Sequence, residues 1–333
     1  VWLRPPDGKA FEVAVNDLSQ ADREYVRRLA RESDARKAAS PPGPSGRIAY
    51  GEPRQVAVLS NRAIDESSGL AAARARPDMF WTHNDSGGAA SIFLFDLQGR
   101  DRGRCVLADV LAYDWEDIVS FSWQGRHYLL LCDTGNNGLA AAVQMLHLIE
   151  EPPIDPEKGL AKKHVPVIRT IYYSYEDDHR NCEAVAIDPS DRTILLATKE
   201  FQRKCYVYAL AWPAPDVEAA DKPPAKALVA RLIATPKVPL VTGMDVSPDG
   251  RRAVLATYGN AYEFVRPAGD DWAAAFSREP REIPMPMRRQ GESICYGSDG
   301  KTLYLTSEKL PTPLWEVPCE SPISDDRGAP LPE

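Results

Sequence analysis

Hydrophobic positions along this chain come in short paired runs separated by polar turns. Residues 290–308 read QGESICYGSDGKTLYLTSE: a brief apolar run, a turn at Ser298-Asp299-Gly300, then Leu303 and Leu305 alternating with Thr302, Tyr304 and Thr306. Alternation on both sides of an Asp-Gly pair predicts two antiparallel strands joined by a tight turn. The unit recurs four times upstream. Residues 241–259 turn at Pro248-Asp249-Gly250, 181–200 at Pro189-Ser190-Asp191, 114–135 at Gln124-Gly125, and 66–87 at Arg76-Pro77-Asp78.

Taking Leu70, Ile118, Val185, Met244 and Ile294 as equivalent, the intervals are 48, 67, 59 and 50 residues. Repeats of roughly 40–50 residues, each with room for about four short strands, predict a β-propeller, because one such sheet cannot bury both faces alone. The expected fold is therefore all-β, a five-bladed propeller, with six blades as the alternative. The longer intervals come from insertions at 150–166, 212–227 and 266–282, each placed after a third strand. Residues 52–60 read as a strand without partners, and the last repeat ends after three strands. Pairing the two closes the ring and removes an edge.

Chain direction alternates within a blade, so loops entering strand one share a face with loops joining strands two and three. That face collects the unusual residues. Glu116, Glu183 and Glu292 stand at one position of three repeats and are expected to crowd the channel mouth, with Ser68 and Thr242 in the matching places. The other loops add His83, Asn84 and Asp85 of an HNDSGG run, Asp133 of DTGNN, and the cations Lys199, Arg288 and Lys309. Converging carboxylates repel unless a cation, a proton or a basic side chain intervenes. Glu116, Glu183, Glu292 and Asp133 thus form a candidate metal set, for which a hard cation such as Ca²⁺ fits best. His83, Asn84, Asp85, Lys199, Arg288 and Lys309 form a candidate ligand-binding set. The structural alternative is that each Glu caps backbone N–H groups or pairs with a nearby Lys or Arg, and that the Asn-Asp-Gly segments only make turns.

Forty Lys and Arg against 48 Asp and Glu leave a net charge of −8, with no basic stripe to suit nucleic acid. No apolar run approaches a membrane span. No nucleophile elbow, P-loop or HExxH pattern is present. Six cysteines without a C-x-x-C pair permit many connectivities, Cys182 and Cys205 being the best disulfide candidates.

Residues 1–32 carry Asp7-Gly8-Lys9, Leu18-Ser19, Asp22 and Tyr25-Val26, and predict two strands followed by a helix from Ser19. They resemble the second half of a Sla-one homology domain, which implies a partial SH3-like barrel. A Pro/Gly/Ser linker follows at 33–47, then the propeller at 48–320 and a flexible tail at 321–333. The repeats are similar to bacterial WD-like and TolB-like propellers, in particular an uncharacterised secreted group with N-D-S-G, D-W-E-D-I and D-x-G-x-N segments. Here these are residues 84–87, 114–118 and 133–137. The resemblance and the even cysteine count imply an extracytoplasmic protein, and a monomer is expected. Two functions are expected: a module that binds a protein or small molecule through its acidic face, or a Ca²⁺-dependent hydrolase of a phosphoester or lactone, by analogy to propeller phytases and lactonases. Whether the chain is an enzyme stays open at this level.

Overall fold

The computed structural model describes residues 49–85, 89–213 and 227–320, and the backbone of two short strands near the start. Those two, β1 (Trp2–Leu3) and β2 (Phe11–Glu12), pair antiparallel with Leu3 opposite Phe11. The helix expected from Ser19, the linker and the tail lie outside the described residues. The chain divides into two compact units, residues 1–48 with 321–333, and residues 49–320.

The larger unit is all-β. Sheet one runs outward from β4 (Ser67–Ala72) through β5 (Met79–Asn84) and β6 (Ala89–Asp96) to β7 (Asp101–Leu111). Sheet two is β8 (Trp115–Trp123), β9 (Arg126–Asp133), β10 (Gln144–Glu150) and β14 (Arg169–Tyr175). Sheet three is β15 (Cys182–Ile187), β16 (Ile194–Thr198), β17 (Val207–Leu210) and β18 (Leu228–Ala234). A parallel β14–β18 pairing joins these two into one eight-stranded sheet. Its end strands β8 and β15 pack against one another, so it comes close to closing on itself.

Sheet four is β19 (Val241–Val246), β20 (Arg252–Thr257), β21 (Ala261–Val265) and β22 (Arg281–Ile283). Sheet five is β23 (Cys295–Tyr296), β24 (Leu303–Leu305), β25 (Pro313–Val317) and β3 (Arg54–Val58). The early strand β3 pairs antiparallel with the last strand β25, as the lone run at 52–60 predicts.

The turns follow from their residues. Gly250 and Gly300 sit at φ 68° and 65°, where a side chain would be strained. The preceding Asp folds back on the chain: Asp299 Oδ1 accepts from Lys301 N and Thr302 N at 2.9 and 3.0 Å. Each insertion lies between the third and fourth strands of its sheet. The first holds a small hairpin, β11 (Ile154–Asp155) with β12 (Gly159–Leu160), and β13 (His164–Val165), which adds in parallel to the edge of β7. The third holds the short helix α1 (Trp272–Phe276), capped by Asp271, whose Oδ1 accepts from Ala274 N at 2.8 Å.

Innermost strands β4 and β15 are buried at every residue and β19 nearly so. This is why they read as small apolar runs rather than as alternation. Five hydrophobic clusters fill the gaps between sheets one and two, two and three, three and four, four and five, and five and one. The innermost strands touch in the cyclic order β4, β8, β15, β19, β23 and back to β4. All six cysteines are without a disulfide, and Cys182 and Cys205 are buried in different clusters, which corrects the expected pairing. No helix among the described residues is long and apolar enough to cross a membrane.

Candidate functional site

The loops at one end of the innermost strands form a closed circuit. Within sheets, Asp85 N donates to Glu66 O, Gly135 N to Asp114 O, Lys199 N to Asn181 O, and Glu308 N to Gln290 O, all at 3.0–3.1 Å. Between sheets, Ser68 Oγ donates to Glu116 O, Cys182 N to Thr134 O, Leu240 N to Glu200 O, Thr242 Oγ1 to Gly291 O, and Lys309 N to Asp65 O. Every sheet is tied to the next, so the loops named from the sequence do share one end.

Four innermost strands carry a register irregularity at the same repeat position. It falls between Ser67 and Leu70, Trp115 and Asp117, Cys182 and Ala184, and Val241 and Gly243. The residue skipped is Glu116 in sheet two, Glu183 in sheet three and Thr242 in sheet four. A bulge re-aims the side chain it carries. Here it turns Glu116 and Glu183 into the buried end of the ring, 3% and 2% exposed.

Glu183 is satisfied on both oxygens, by Asn181 Nδ2 at 2.8 Å and Lys199 Nζ at 2.7 Å. Lys199 also approaches Glu292 Oε1 at 3.7 Å and lies 5.0 Å from the centre of the Tyr258 ring. Burial works against its charge, but Glu183 and Glu292 outweigh it and hold its pKa above the usual value. Glu292 Oε1 accepts from Tyr258 OH at 2.7 Å, and Glu292 shares a hydrogen bond with Glu308. Burial and then Glu292 push the Glu308 carboxyl up to about 9. That pair therefore holds a proton at neutral pH.

Glu116 is the exception. One carboxylate oxygen of Glu116, one of Asp85 and one of Asp114 lie within 4.8 Å of one another. Gly135 makes room for them: a Cβ there would fall 2.3 Å from Asp114 Oδ2 and Glu116 Oε1. Burial first, then Glu183 and Asp85, push Glu116 well above the ordinary carboxylate range, with Lys199 opposing.

The remaining predicted residues fall outside this group. Asp133 accepts from Tyr113 N and Asp114 N at 3.1 and 2.9 Å, shaping the loop into β8 rather than facing the glutamates. Asn84 Nδ2 donates to Ala63 O and Asp65 Oδ1. His83 is fully buried, edge-on to Trp115 at 5.6 Å, and burial lowers it to about 4. Its Nδ1 hydrogen-bonds to Asn84 O at 2.9 Å, so the imidazole is a packing group behind the site. Lys309 is exposed and near Glu66 and Glu308, and Arg288 Nη2 donates to Thr257 O. Ser86, Gly87 and Gly88 of the HNDSGG run lie outside the described residues.

Two carboxylates that matter most were not chosen from the sequence. Asp117 Oδ1 accepts from Ile118 N at 2.8 Å, and Oδ2 from Val185 N at 2.9 Å and Met244 N at 3.4 Å, joining sheets two, three and four. Asp245 accepts from Val246 N and Tyr296 N, both at 2.8 Å, joining four and five. Backbone capping between sheets is thus done by an Asp beside two of the five aliphatic markers, Ile118 and Met244, not by the glutamates. The signal was the Asp directly preceding Ile118 and following Met244.

No family model matches this chain, and no curated protein matches it either.

Proposed function

We propose that residues 49–320 form a five-bladed β-propeller that acts as a binding module, taking a cationic ligand at the ring end through Asp85, Asp114 and Glu116. The five sheets, the cyclic contacts of their innermost strands and the five separate cores between them support the five-bladed reading. The observation that carries the binding reading is Glu116. It is 3% exposed and held against two further carboxylates, while the buried Lys199 is committed to Glu183 and Glu292. Ca²⁺ is the cation we assign, because the donors are all hard oxygens. The N-terminal residues that resemble a Sla-one homology domain would carry the module to a larger assembly.

The hydrolase reading is weaker. It needs Glu183, Glu292 and Asp133 around the same ion, and each is bonded elsewhere. The ring hydroxyls of Ser68, Thr134 and Thr242 all donate to backbone carbonyls and so tie neighbouring sheets together. Metal analysis of the purified protein before and after EGTA tests the proposal. It expects one Ca²⁺ per chain, or stoichiometric uptake after stripping. Absence of both refutes it.

A further inference from the structure

The same end carries a second feature, of opposite charge. A cleft of about 210 Å³ opens between the segment entering β23 and the segment joining β24 to β25. Its lining includes the cations Arg288, Arg289 and Lys309 and the apolar side chains of Met287, Pro311 and Trp315. Met287 is fully exposed at its rim.

Three buried donors around this cleft lack acceptors. Arg288 Nη2 reaches Thr257 O at 3.2 Å, but Nε and Nη1 are buried without any hydrogen-bond partner, as is the indole Nε1 of Trp315. The guanidinium is seated on Gly291, where a Cβ would come within 2.6 Å of its Cζ. Buried N–H groups are almost always paired, so three orphans around one cleft point to an acceptor that binds there. Burial lowers Arg288 only to about 10, so it keeps its charge at neutral pH. The carboxyl in the wall, Glu308, holds its proton and does not repel an anion.

We propose that this cleft binds a small organic anion, a carboxylate or phosphate monoester with an apolar body, whose oxygens accept from Arg288 and Trp315. The apolar body lies against Met287 and Pro311, and Arg289 and Lys309 supply further positive charge at the mouth. A bidentate guanidinium contact suits both head groups. The inference does not rest on the cation reading, because the two sites share no residue.

The test is calorimetric titration of the full chain, in EGTA, with phenylacetate, phenyl phosphate and uncharged benzyl alcohol. At least one anion should bind saturably and benzyl alcohol should not. The tighter anion identifies the head group. Arg288→Met and Trp315→Phe should each weaken binding by about tenfold or more, as expected for a lost hydrogen bond to a charged group. Should Arg288→Met fail to fold, Trp315→Phe decides alone, since it keeps an aromatic ring and removes the N–H. Failure of both anions to saturate the folded protein, equal binding of benzyl alcohol, or unchanged affinity in Trp315→Phe overturns the proposal.

Discussion

Replacing Glu116 by Gln removes one charge from the ring end and keeps the side chain's shape. The structure sets the size of the effect. Two carboxylates 4.8 Å apart repel by about 3–4 kcal/mol at an effective dielectric constant of about 20, and Glu116 faces two such neighbours. Burial, then Glu183 and Asp85, raise the Glu116 carboxyl above the ordinary carboxylate range, so protonation of Glu116 is the way this repulsion is relieved as pH falls. A raised carboxyl binds its proton more tightly folded than unfolded. The associated stability is present below the unfolded pKa and is lost as pH rises toward the folded one. With EGTA, Glu116→Gln should therefore match the wild type below about pH 4.5, the unfolded value, and become the more stable form as pH rises above it. With Ca²⁺ the order reverses. The wild type gains RT ln(1 + [L]/Kd), about 2.7 kcal/mol at a hundred times Kd, and the variant loses most of it. Thermal melts of both proteins, with EGTA and with Ca²⁺ at several pH values, read these signs. A variant destabilised equally in all conditions would show that Glu116 is only a structural acceptor, and the reasoning would fail.

Three further outcomes follow from the same geometry. Asp117→Asn cannot accept on both sides, so at least one of the N–H groups of Ile118, Val185 and Met244 loses its partner; urea unfolding should show a loss of about 1–3 kcal/mol. Glu308, raised from an ordinary 4.5 to about 9 by burial and Glu292, should make the wild type lose stability as pH climbs between those values. Glu308→Gln should lack that part of the slope, and an unchanged slope would contradict the shared proton. Thiol titration of the denatured protein should count six thiols; fewer would mean that a disulfide forms.

Much of the fold was legible because repeated local chemistry marked it. Leu70, Ile118, Val185 and Met244 all lie in innermost strands, and Ile294 directly precedes β23. The Asp-Gly turns set the hairpin register, and the unpaired run at 52–60 found β25. Helix α1 was not legible, since a single turn around Trp272 gains its stability from tertiary contacts. Its indole donates to Asp188 Oδ2 at 2.8 Å, and its ring lies 4.3 Å from the Arg266 guanidinium.

The site was legible only to the level of one face. Sequence spacing placed Glu116, Glu183 and Glu292 equivalently, yet Lys199 reaches only two of them, and that choice belongs to side-chain direction. Asp133 ends a strand like a ligand but bonds its neighbouring loop, a local preference common to Asp. Asp114 and Glu308 share this face, but nothing in their spacing distinguishes them from solvated acids. The repeated bulge, which aims Glu116 and Glu183 inward, leaves no compositional mark.

The central claim is that Asp85, Asp114 and Glu116 hold a cation. Its most direct measurement is calorimetric titration of EGTA-stripped protein with CaCl₂, wild type beside Glu116→Gln. The account predicts one saturable site in the wild type that is lost or strongly weakened in the variant. No saturable heat in the wild type, or the same affinity in both proteins, would contradict it.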